Sequence, residues 1–259
     1  MKSKLFVLAA ALAGLALAQD GIRIPFSDPA RPGRVAVHTL NGNIVVKAGP
    51  PGAVFVETKD LHKVGKARAD GLHRIPMQPG LQAEEAENTI TVSSNPPNDT
   101  DLFVTVPTQN TSVKVGSISG DIAIEGVSAD IEVDATNGKA ILNSVSGSVV
   151  AHSLNGGVTA TINRVSPDKA MSFTSLNGDI NVTLPADTKA RLKMKTNNGE
   201  LYTDFDVQLE RSAQRYSEES SGGRHKIKQD RTTYGTINGG GPEMQFESFN
   251  GNIYIRKAK

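Results

Sequence analysis

The amino-acid sequence predicts an all-β protein, a β-solenoid or β-helix-like stack built from nine-residue half-coils after a cleaved signal peptide. Three observations predict this fold class. A tetrad of small, apolar, small and glycine residues returns every nine residues from residue 117 onward. The 25 glycines and 13 prolines are scattered among Val, Ile and Thr. No helical apolar period persists beyond a few turns.

The N-terminal segment MKSKLFVLAAALAGLALAQDG has the organisation of a secretory signal peptide. Lys2 and Lys4 precede an apolar run over residues 5–17, and residues 16–18 read Ala-Leu-Ala. This order predicts a signal peptide over 1–18. The alternative is a membrane anchor, but the apolar run is shorter than the roughly 20 residues that cross a bilayer.

Composition limits the partners of the chain from residue 19 to residue 259. Without cysteine it has no disulfide and no site for a lipid at a mature N-terminus. Removing the two leader lysines from 28 basic residues leaves 26 against 27 acidic residues, a formal charge of −1. This balance predicts no nucleic-acid partner and no attraction to an anionic membrane. We therefore expect a secreted protein, periplasmic or associated with the cell surface.

Residues 19–115 carry a weaker β pattern. Loops are expected at 60–88 and at 93–100, where SSNPPNDT contains paired prolines. We expect this region to be continuous with the repeat, with a separate small β domain as the alternative. The candidate strands are 34–39, 44–46, 54–58, 89–92 and 102–106.

Residues 116–259 form the predicted repeat domain. From Ser117 five units follow without a gap: SISGDIAIE, GVSADIEVD, ATNGKAILN, SVSGSVVAH and SLNGGVTAT. A fixed internal period is typical of repeat architectures. The motif also occurs as TLNGNIVVK (39–47), SLNGDINVT (175–183), TNNGELYTD (196–204) and SFNGNIYIR (248–256).

The apolar positions of each unit distinguish two folds. Asn-Gly and Ser-Gly also favour hairpin corners, but a hairpin at Gly120 would put Ile118 on one face and Ile122 and Ile124 on the other. A strand running through the tetrad turns all three inward, with Gly120 beneath them. The second arrangement favours a solenoid over an antiparallel meander.

The odd period predicts a bend at each unit junction, such as 125–126, 143–144 and 152–153. Two units then make a coil of about 18 residues. The steps to Gly178 and Gly199 are 22 and 21 residues, which indicates further coils with small insertions. The predicted stacks are Gly120, Gly138 and Gly156, and Ile118, Thr136 and Leu154.

An insertion lies in the 40-residue step from Gly199 to Gly239. Residues 208–232, QLERSAQRYSEESSGGRHKIKQDRT, are polar, charged and glycine-centred. They are either a solvated loop or a contact surface held on a rigid scaffold.

Metal chemistry is not indicated. Calcium-binding β-rolls repeat Gly-Gly-x-Gly-x-Asp, whereas an 18-residue coil here places Asp121 over Lys139 and Asp130 over Ser148. No cofactor or metal residue is therefore predicted. The histidines are isolated in sequence, with His152 at a predicted corner: His38, His62, His73, His152 and His225.

Catalytic chemistry is not indicated either. There is no Gly-x-Ser-x-Gly, P-loop or Ser-x-x-Lys motif. Trp is absent and only twelve residues are Phe or Tyr, few for sugar platforms. We predict no enzyme and no catalytic residue, with a cell-wall glycan-binding protein or glycan-active enzyme as the alternative. The strand acids fall at outward or corner positions: Glu125, Glu132, Asp134, Asp179 and Asp204.

Three segments resemble a known family. They are DLFVTVPTQNTSVKVGSISGDIAIEGV (101–127), SLNGDINVTLPADTKARLKMKTNNGELYTDF (175–205) and SFNGNIYIRK (248–257). A strand ending in Val-Pro, recurring small-Gly-Asp-Ile, NVTLP and a closing Asn-Gly-Asn-Ile are similar to the bacterial putative-adhesin family of domains of unknown function. The resemblance implies a β-helical fold, an envelope or surface location and an unknown protein or envelope partner. It carries over no catalytic motif, and the insertion 208–232 departs from its compact repeat.

Overall fold

The structure is a computed structural model that describes residues 21–60, 80–95, 100–108, 110–210, 216–221, 224–229 and 232–259. The described chain is built from β-strands and contains no helix long and apolar enough to cross a membrane. Before the repeat, the strands are β1 Gly21–Pro25, β2 Gly33–Asn41, β3 Ile44–Gly49, β4 Ala53–Asp60, β5 Gly80–Ala86, β6 Thr89–Asn95 and β7 Thr100–Pro107.

The remaining strands continue to the last coil. They are β8 Thr111–Ser119, β9 Ile122–Glu125, β10 Asp130–Asn137, β11 Ala140–Gly147, β12 Val149–Asn155, β13 Val158–Val165, β14 Met171–Asn177, β15 Ile180–Leu184, β16 Ala190–Asn198, β17 Leu201–Thr203, β18 Val207–Leu209, β19 Tyr216–Ser221, β20 Arg224–Gln229, β21 Thr233–Ile237, β22 Glu243–Asn250 and β23 Ile253–Lys257.

Two long sheets form the walls of a β-solenoid. The ten-stranded sheet has the order β1-β4-β7-β3-β9-β11-β13-β15-β23-β17, and the eleven-stranded sheet has the order β18-β21-β16-β22-β14-β12-β10-β8-β2-β6-β5. One strand of each sheet makes a coil, and strands of neighbouring coils are parallel. The predicted all-β solenoid is confirmed.

Coil length follows the predicted period in the middle of the stack. Ile131 pairs with Val113 on one side and with Val149 on the other, 18 residues away in each direction. The next step is 22 residues, because His152 pairs with Thr174. The predicted 18-residue coil, with a longer one before β14, is confirmed.

Chain order and spatial order differ at both ends of the stack. The last coil, β22–β23, lies between β14–β15 and β16–β17, and the early coil β2–β3 lies between β8–β9 and β6–β7. The sequence-based expectation that the coil at Gly199 follows the coil at Gly178 is wrong. Gly251 separates them, because a Cβ atom at Gly199 would meet Gly251 and one at Gly251 would meet Gly178.

Antiparallel strands cover three of the four sheet ends. β4 and β1 extend the ten-stranded sheet beyond β7, β5 covers β6, and β21 and β18 extend the eleven-stranded sheet beyond β16. Reversed strands interrupt the parallel repeat and limit further stacking, since an exposed edge invites pairing with another chain. The fourth end is β17, a strand of only three residues.

The predicted strands before the repeat are confirmed as β2, β3, β4, β6 and β7. β5 lies inside the expected loop 60–88, so that part of the loop prediction is wrong. Its charged segment GLQAEEA still pairs along the whole of β6, which shows pairing overriding weak patterning. Residues 61–79 lie outside the described residues.

The corners that separate the strands of each coil fall at position four of the nine-residue units. The chain turns at Gly120, where φ is +142°, so side-chain parity changes there. Ile122 and Ile124 are buried as predicted, but Ile118 is 48% exposed, and its predicted inward orientation is wrong. Serine takes the inward place, because Ser117 is 3% exposed.

The predicted junction bends have a mixed outcome. Gly126 and Ser144 do have left-handed backbones, with φ of +68° and +54°. At 152–153 the chain runs straight through β12, and the predicted corner is wrong. His152 instead projects outward from the strand, and its Nδ1 lies 2.7 Å from Thr174 Oγ1.

A glycine stack and two polar ladders form the corner of the coils. A Cβ atom at Gly138 would lie 2.6 Å from the carbonyl carbon of Gly120, and one at Gly156 would lie 2.7 Å from that of Gly138. This confirms the predicted glycine stack. The buried Ser153 hydroxyl donates to Gly138 O at 2.9 Å, as Ser175 does to Gly156 O at 2.9 Å.

An asparagine ladder runs outside the same corner. In the stack order given below, each side-chain amide donates to the Oδ1 of the preceding asparagine over 2.8–3.0 Å. Side-chain amides so paired fix the register between coils. The members in stack order are Asn137, Asn155, Asn177, Asn250 and Asn198.

Candidate functional site

The strand acids bind neighbouring coils. Glu132 Oε1 lies 2.7 Å from Lys114 Nζ, and Glu125 pairs with Lys47 at 3.0 Å. Asp179 Oδ1 accepts the backbone N–H of Asn252 at 2.7 Å. Exposed ion pairs of this kind contribute little stability, but Glu125, Glu132 and Asp179 each have a structural partner on another coil.

The shifted pKa values have equally local causes. The hydrogen bond to Glu132, reinforced by its charge, raises the pKa of Lys114. The hydrogen bond from the Ser27 hydroxyl lowers the pKa of Glu85, and the hydrogen bond from the Tyr202 hydroxyl to Glu200 raises the pKa of that tyrosine. All three groups lie at the surface, so the shifts reflect local surface pairing.

The carboxylates predicted not to form a calcium cage contact single neighbouring groups, one a backbone N–H and the other a lysine. Asp121 Oδ1 accepts the N–H of Lys139 at 2.7 Å, so Asp121 does lie over Lys139. Asp130 pairs with Lys169 at 2.6 Å. In the described part of the chain no three His, Cys, Asp or Glu side chains come together as metal ligands.

The predicted histidines are distributed over different regions. His38 and His152 project from the outer face of the eleven-stranded sheet, on β2 and β12. His225 lies on β20, while His62 and His73 lie outside the described residues. The structure brings none of the described ones into a ligand set.

One outer face carries a row of apolar side chains. On β2, β8, β12, β14 and β22, the residue at position two of the motif is apolar. We call these five residues the apolar row, and in stack order they are Leu40, Ile118, Leu154, Leu176 and Phe249. Four of them are 39–48% exposed. Sequence reasoning assigned position two to the core. The serine or threonine at position one was the signal that position two faces outward. Its hydroxyl caps a glycine carbonyl only from inside the coil, and the next residue of the strand then points the other way.

A hollow of about 380 Å³ opens beside this row. Its floor is Gly116, which has no side chain, and its walls include His38, Leu40, Ile118 and Asp134. The hollow therefore combines apolar and ionisable groups on a flat sheet.

The insertion 208–232 is held at its base by the stack. β18 and β21 pair antiparallel, with Leu209 opposite Gly235, and Glu210 N donates to Tyr234 O at 3.0 Å. Between them β19 and β20 form a separate two-stranded antiparallel sheet. The predicted loop thus contains a hairpin whose two ends leave the stack side by side.

Comparison with known proteins places the chain in a family. Residues 22–238 match the family model described as Toastrack DUF4097. No curated protein matches the chain. Two solved structures are similar over most of their length. A putative cell adhesion protein from Clostridium sporogenes ATCC 15579 has 10% identity and a TM-score of 0.49, covering 92% of this chain and 99% of that chain. A putative adhesin from Bacteroides fragilis NCTC 9343 has 11% identity and a TM-score of 0.30, covering 93% and 98%.

The family match confirms the resemblance found in the sequence to domains of unknown function. It begins at the first described strand and extends through β21, well over half of the chain. The chain therefore belongs to the Toastrack DUF4097 family.

Proposed function

We propose that the protein is a non-enzymatic, extracytoplasmic β-solenoid scaffold with an adhesin-like role, which presents the insertion 208–232 to a protein or envelope partner. The observation that carries this proposal is the clamp of β18 on β21. It anchors both ends of the insertion on the stack while the β19–β20 hairpin pairs with neither long sheet. Binding residues are often placed on loops that a rigid scaffold positions.

The hairpin sequence suits a polar partner. Its first strand contains Glu218 and Glu219, and its second contains Arg224, Lys226 and Lys228. Complementary charges set partner choice and association rate more than affinity. We expect binding through the hairpin to weaken as salt increases.

The extracytoplasmic location rests on the N-terminal segment. Expressed with its own leader, the chain is expected to begin at Gln19 and to leave the cytoplasm. Mass spectrometry of the intact protein from each cell fraction tests this. A protein that retains Met1 and stays in the cytoplasm would contradict it.

Site-specific photo-cross-linking in intact cells tests the binding role. A photoreactive residue in place of Glu219 should capture one defined adduct, whereas the same residue in place of Thr159, exposed on the ten-stranded sheet, serves as the control. The adduct should disappear when a short Gly-Ser link replaces 208–232. Equal adducts at both positions would remove the insertion from the function.

A glycan-binding role has one specific observation in its favour. Tyr202 and Tyr254 stack with centroids 5.0 Å apart, and Arg256 lies 5.4 Å from the Tyr254 ring. Tyr202 is 46% exposed, so an aromatic surface is open at the β17 edge. Retention on purified cell-wall glycan that Tyr202→Ala abolishes would support this second function, and release of glycan fragments would support an enzyme.

A further inference from the structure

We propose that the outer face of the eleven-stranded sheet is the contact surface of a twofold dimer, in which a second copy of this chain covers the apolar row. This inference is independent of the insertion and its partner. It rests on the distribution of apolar residues, on charge complementarity and on area.

Exposed apolar side chains are concentrated on this face. Of the eight large hydrophobic residues that are exposed among the described residues, five belong to it: Leu40, Ile118, Val150, Leu176 and Phe249. Scattered single residues would need no explanation, but contiguous apolar surface marks interaction sites. They lie on five of the six neighbouring strands from β2 to β22, and Thr136 holds the apolar-row position on the sixth, β10.

A twofold axis parallel to the strands is the operation that matches this face to itself. Such an axis reverses the order of the coils and leaves each row of side chains opposite the same row of the second copy. Eight coils contribute strands in the order β6, β2, β8, β10, β12, β14, β22 and β16. The centre of this series, and the axis, falls between β10 and β12.

The apolar row then meets itself. Leu40 lies opposite Phe249 of the second copy, and Ile118 lies opposite its Leu176. At the axis Leu154 faces Thr136, whose methyl group continues the apolar contact. Two sheet faces that pack in this way lie about 10 Å apart with strands within about 30° of each other.

The adjacent row shows charge complementarity under the same operation. The residues that the strand pairing aligns in this row are, in stack order, Ser93, His38, Gly116, Asp134, His152, Thr174, Glu247 and Lys195. Reversal places His38 opposite Glu247 and Asp134 opposite His152. Both pairs join an imidazole to a carboxylate, and no two groups of like charge face each other.

A third row, which contains Lys114 on β8, Glu132 on β10, Val150 on β12 and Ser172 on β14, adds no repulsion. Lys114 and Glu132 are paired within one chain at 2.7 Å. Reversal brings them opposite Ser172 and Val150 of the second copy. Like charges placed face to face would oppose association, and this row has none near the axis.

In this dimer, a side chain of the second copy fills the hollow at Gly116. Gly116 and Ile118 lie on β8, and reversal sets them opposite Thr174 and Leu176 on β14. The small Thr174 side chain then faces the hollow at Gly116, and the larger Leu176 side chain faces Ile118 in its wall. This gives the complementary shape that interface cores require.

The area is sufficient for a specific interface. Eight strands at about 4.8 Å spacing, each about seven residues long at about 3.3 Å, cover roughly 800 Å². A standard interface buries about 800 Å² on each partner. A partner of uniform charge, such as nucleic acid, does not fit, because the face alternates acidic and basic groups.

Sedimentation velocity on the purified full chain tests the dimer. We expect a concentration-dependent dimer at micromolar protein. Ile118→Asp combined with Leu176→Asp should weaken it at least about 100-fold, because each dimer would bury unpaired carboxylates. The control is Ile141→Asp, the same change on the outer face of the ten-stranded sheet, which should leave the dimer intact. Circular dichroism checks the fold of each variant.

Disulfide trapping tests the reversed order of coils directly, because the chain has no cysteine. Leu40→Cys and Phe249→Cys proteins should each remain uncross-linked when oxidised alone and should form a covalent dimer when mixed. Cross-linking of Leu40→Cys with itself would overturn the proposed axis. A monomer at all concentrations, or loss of the dimer on Ile141→Asp alone, would overturn the proposed face.

Discussion

In the middle of the stack, from β8 to β15, each coil lies on the coil made just before it, whereas at the ends each coil lies on one that is distant in sequence. Asp121 meets Lys139 after 18 residues, but Asp179 meets Asn252 after 73. The local contacts at the glycine corner are nevertheless the same. Nine-residue units therefore specify how two coils stack, while they leave open which two coils do so.

Removing the last coil should have the largest effect on this comparison. Deletion of 243–259 takes away four fully buried side chains, Met244, Phe246, Ile253 and Ile255, and separates β16 from β14. Each contributes about 1.5–3 kcal/mol, so the loss approaches the whole stability of a domain. We expect no cooperative thermal unfolding by circular dichroism.

The matched control is replacement of 216–229 by a short Gly-Ser link. That change removes only the two-stranded sheet and should leave Tm within about 2 °C of the parent. A deletion variant that still unfolds cooperatively near the parent Tm would mean that the end coils are independent of the middle.

Phe246→Ala tests the junction between the middle and the last coil. The Phe246 ring stacks on Phe173 with centroids 5.3 Å apart. We expect a loss of about 3–5 kcal/mol in the free energy of unfolding, measured in urea at low protein concentration. Phe249→Ala, on the same strand but exposed, should lose about 1 kcal/mol or less. Similar losses for the two would place Phe246 outside the core.

Gly138→Val tests close approach within the middle. Its side chain would overlap the backbone of Gly120, and we expect a loss of about 1–3 kcal/mol from overpacking. Gly116→Val is the control, because the near contact of its Cβ would be the movable His38 side chain at 2.9 Å, with backbone no nearer than Asp134 O at 3.9 Å. A Tm of Gly138→Val equal to that of the parent would contradict the stacked glycine corner.

Asn177→Ala should have the smallest effect. Asn177 donates to Asn155 at 3.0 Å and accepts from Asn250 at 2.8 Å, so it joins the middle to the last coil. We expect a loss of about 1 kcal/mol. Asn155→Ala, whose bonds stay within the middle, should lose the same amount in the same urea titration. A much larger loss for Asn177→Ala would show that the junction depends on the ladder more than the middle does.

The sequence was sufficient to predict the coil length and the glycine stack, because both follow from the period. The predicted orientation of Ile118 is wrong because the alternation of inward and outward side chains does not continue through Gly120, where the backbone turns. Ile118 and Ile122 are equally apolar, so hydrophobicity could not separate an exposed position from a buried one. The hydroxyl of Ser117 separates them once the corner is located.

The order of the end coils could not be predicted from any local pattern. Gly178, Gly199 and Gly251 sit in nearly identical motifs, and each could stack on either of the others. The choice is made by long-range pairing and by the antiparallel strands beyond β16. The apolar row, the surface proposed for dimerisation, was hidden for the same reason as Ile118.

The position of β22–β23 ties the folding of one end of the molecule to the synthesis of residues 243–257. A nascent chain that lacks residues 243–257 has already produced β16 and β17, but these strands have no parallel neighbour to dock on. The coils from β8 to β15 can assemble as they emerge, since their contacts are local. The clamp at the base of the insertion is built on β16 through β21, and β16 is joined to the rest of its sheet only through β22. A chain without residues 243–257 therefore lacks the strand that joins the base of the hairpin to the stack, whereas a chain that contains them holds the hairpin in place.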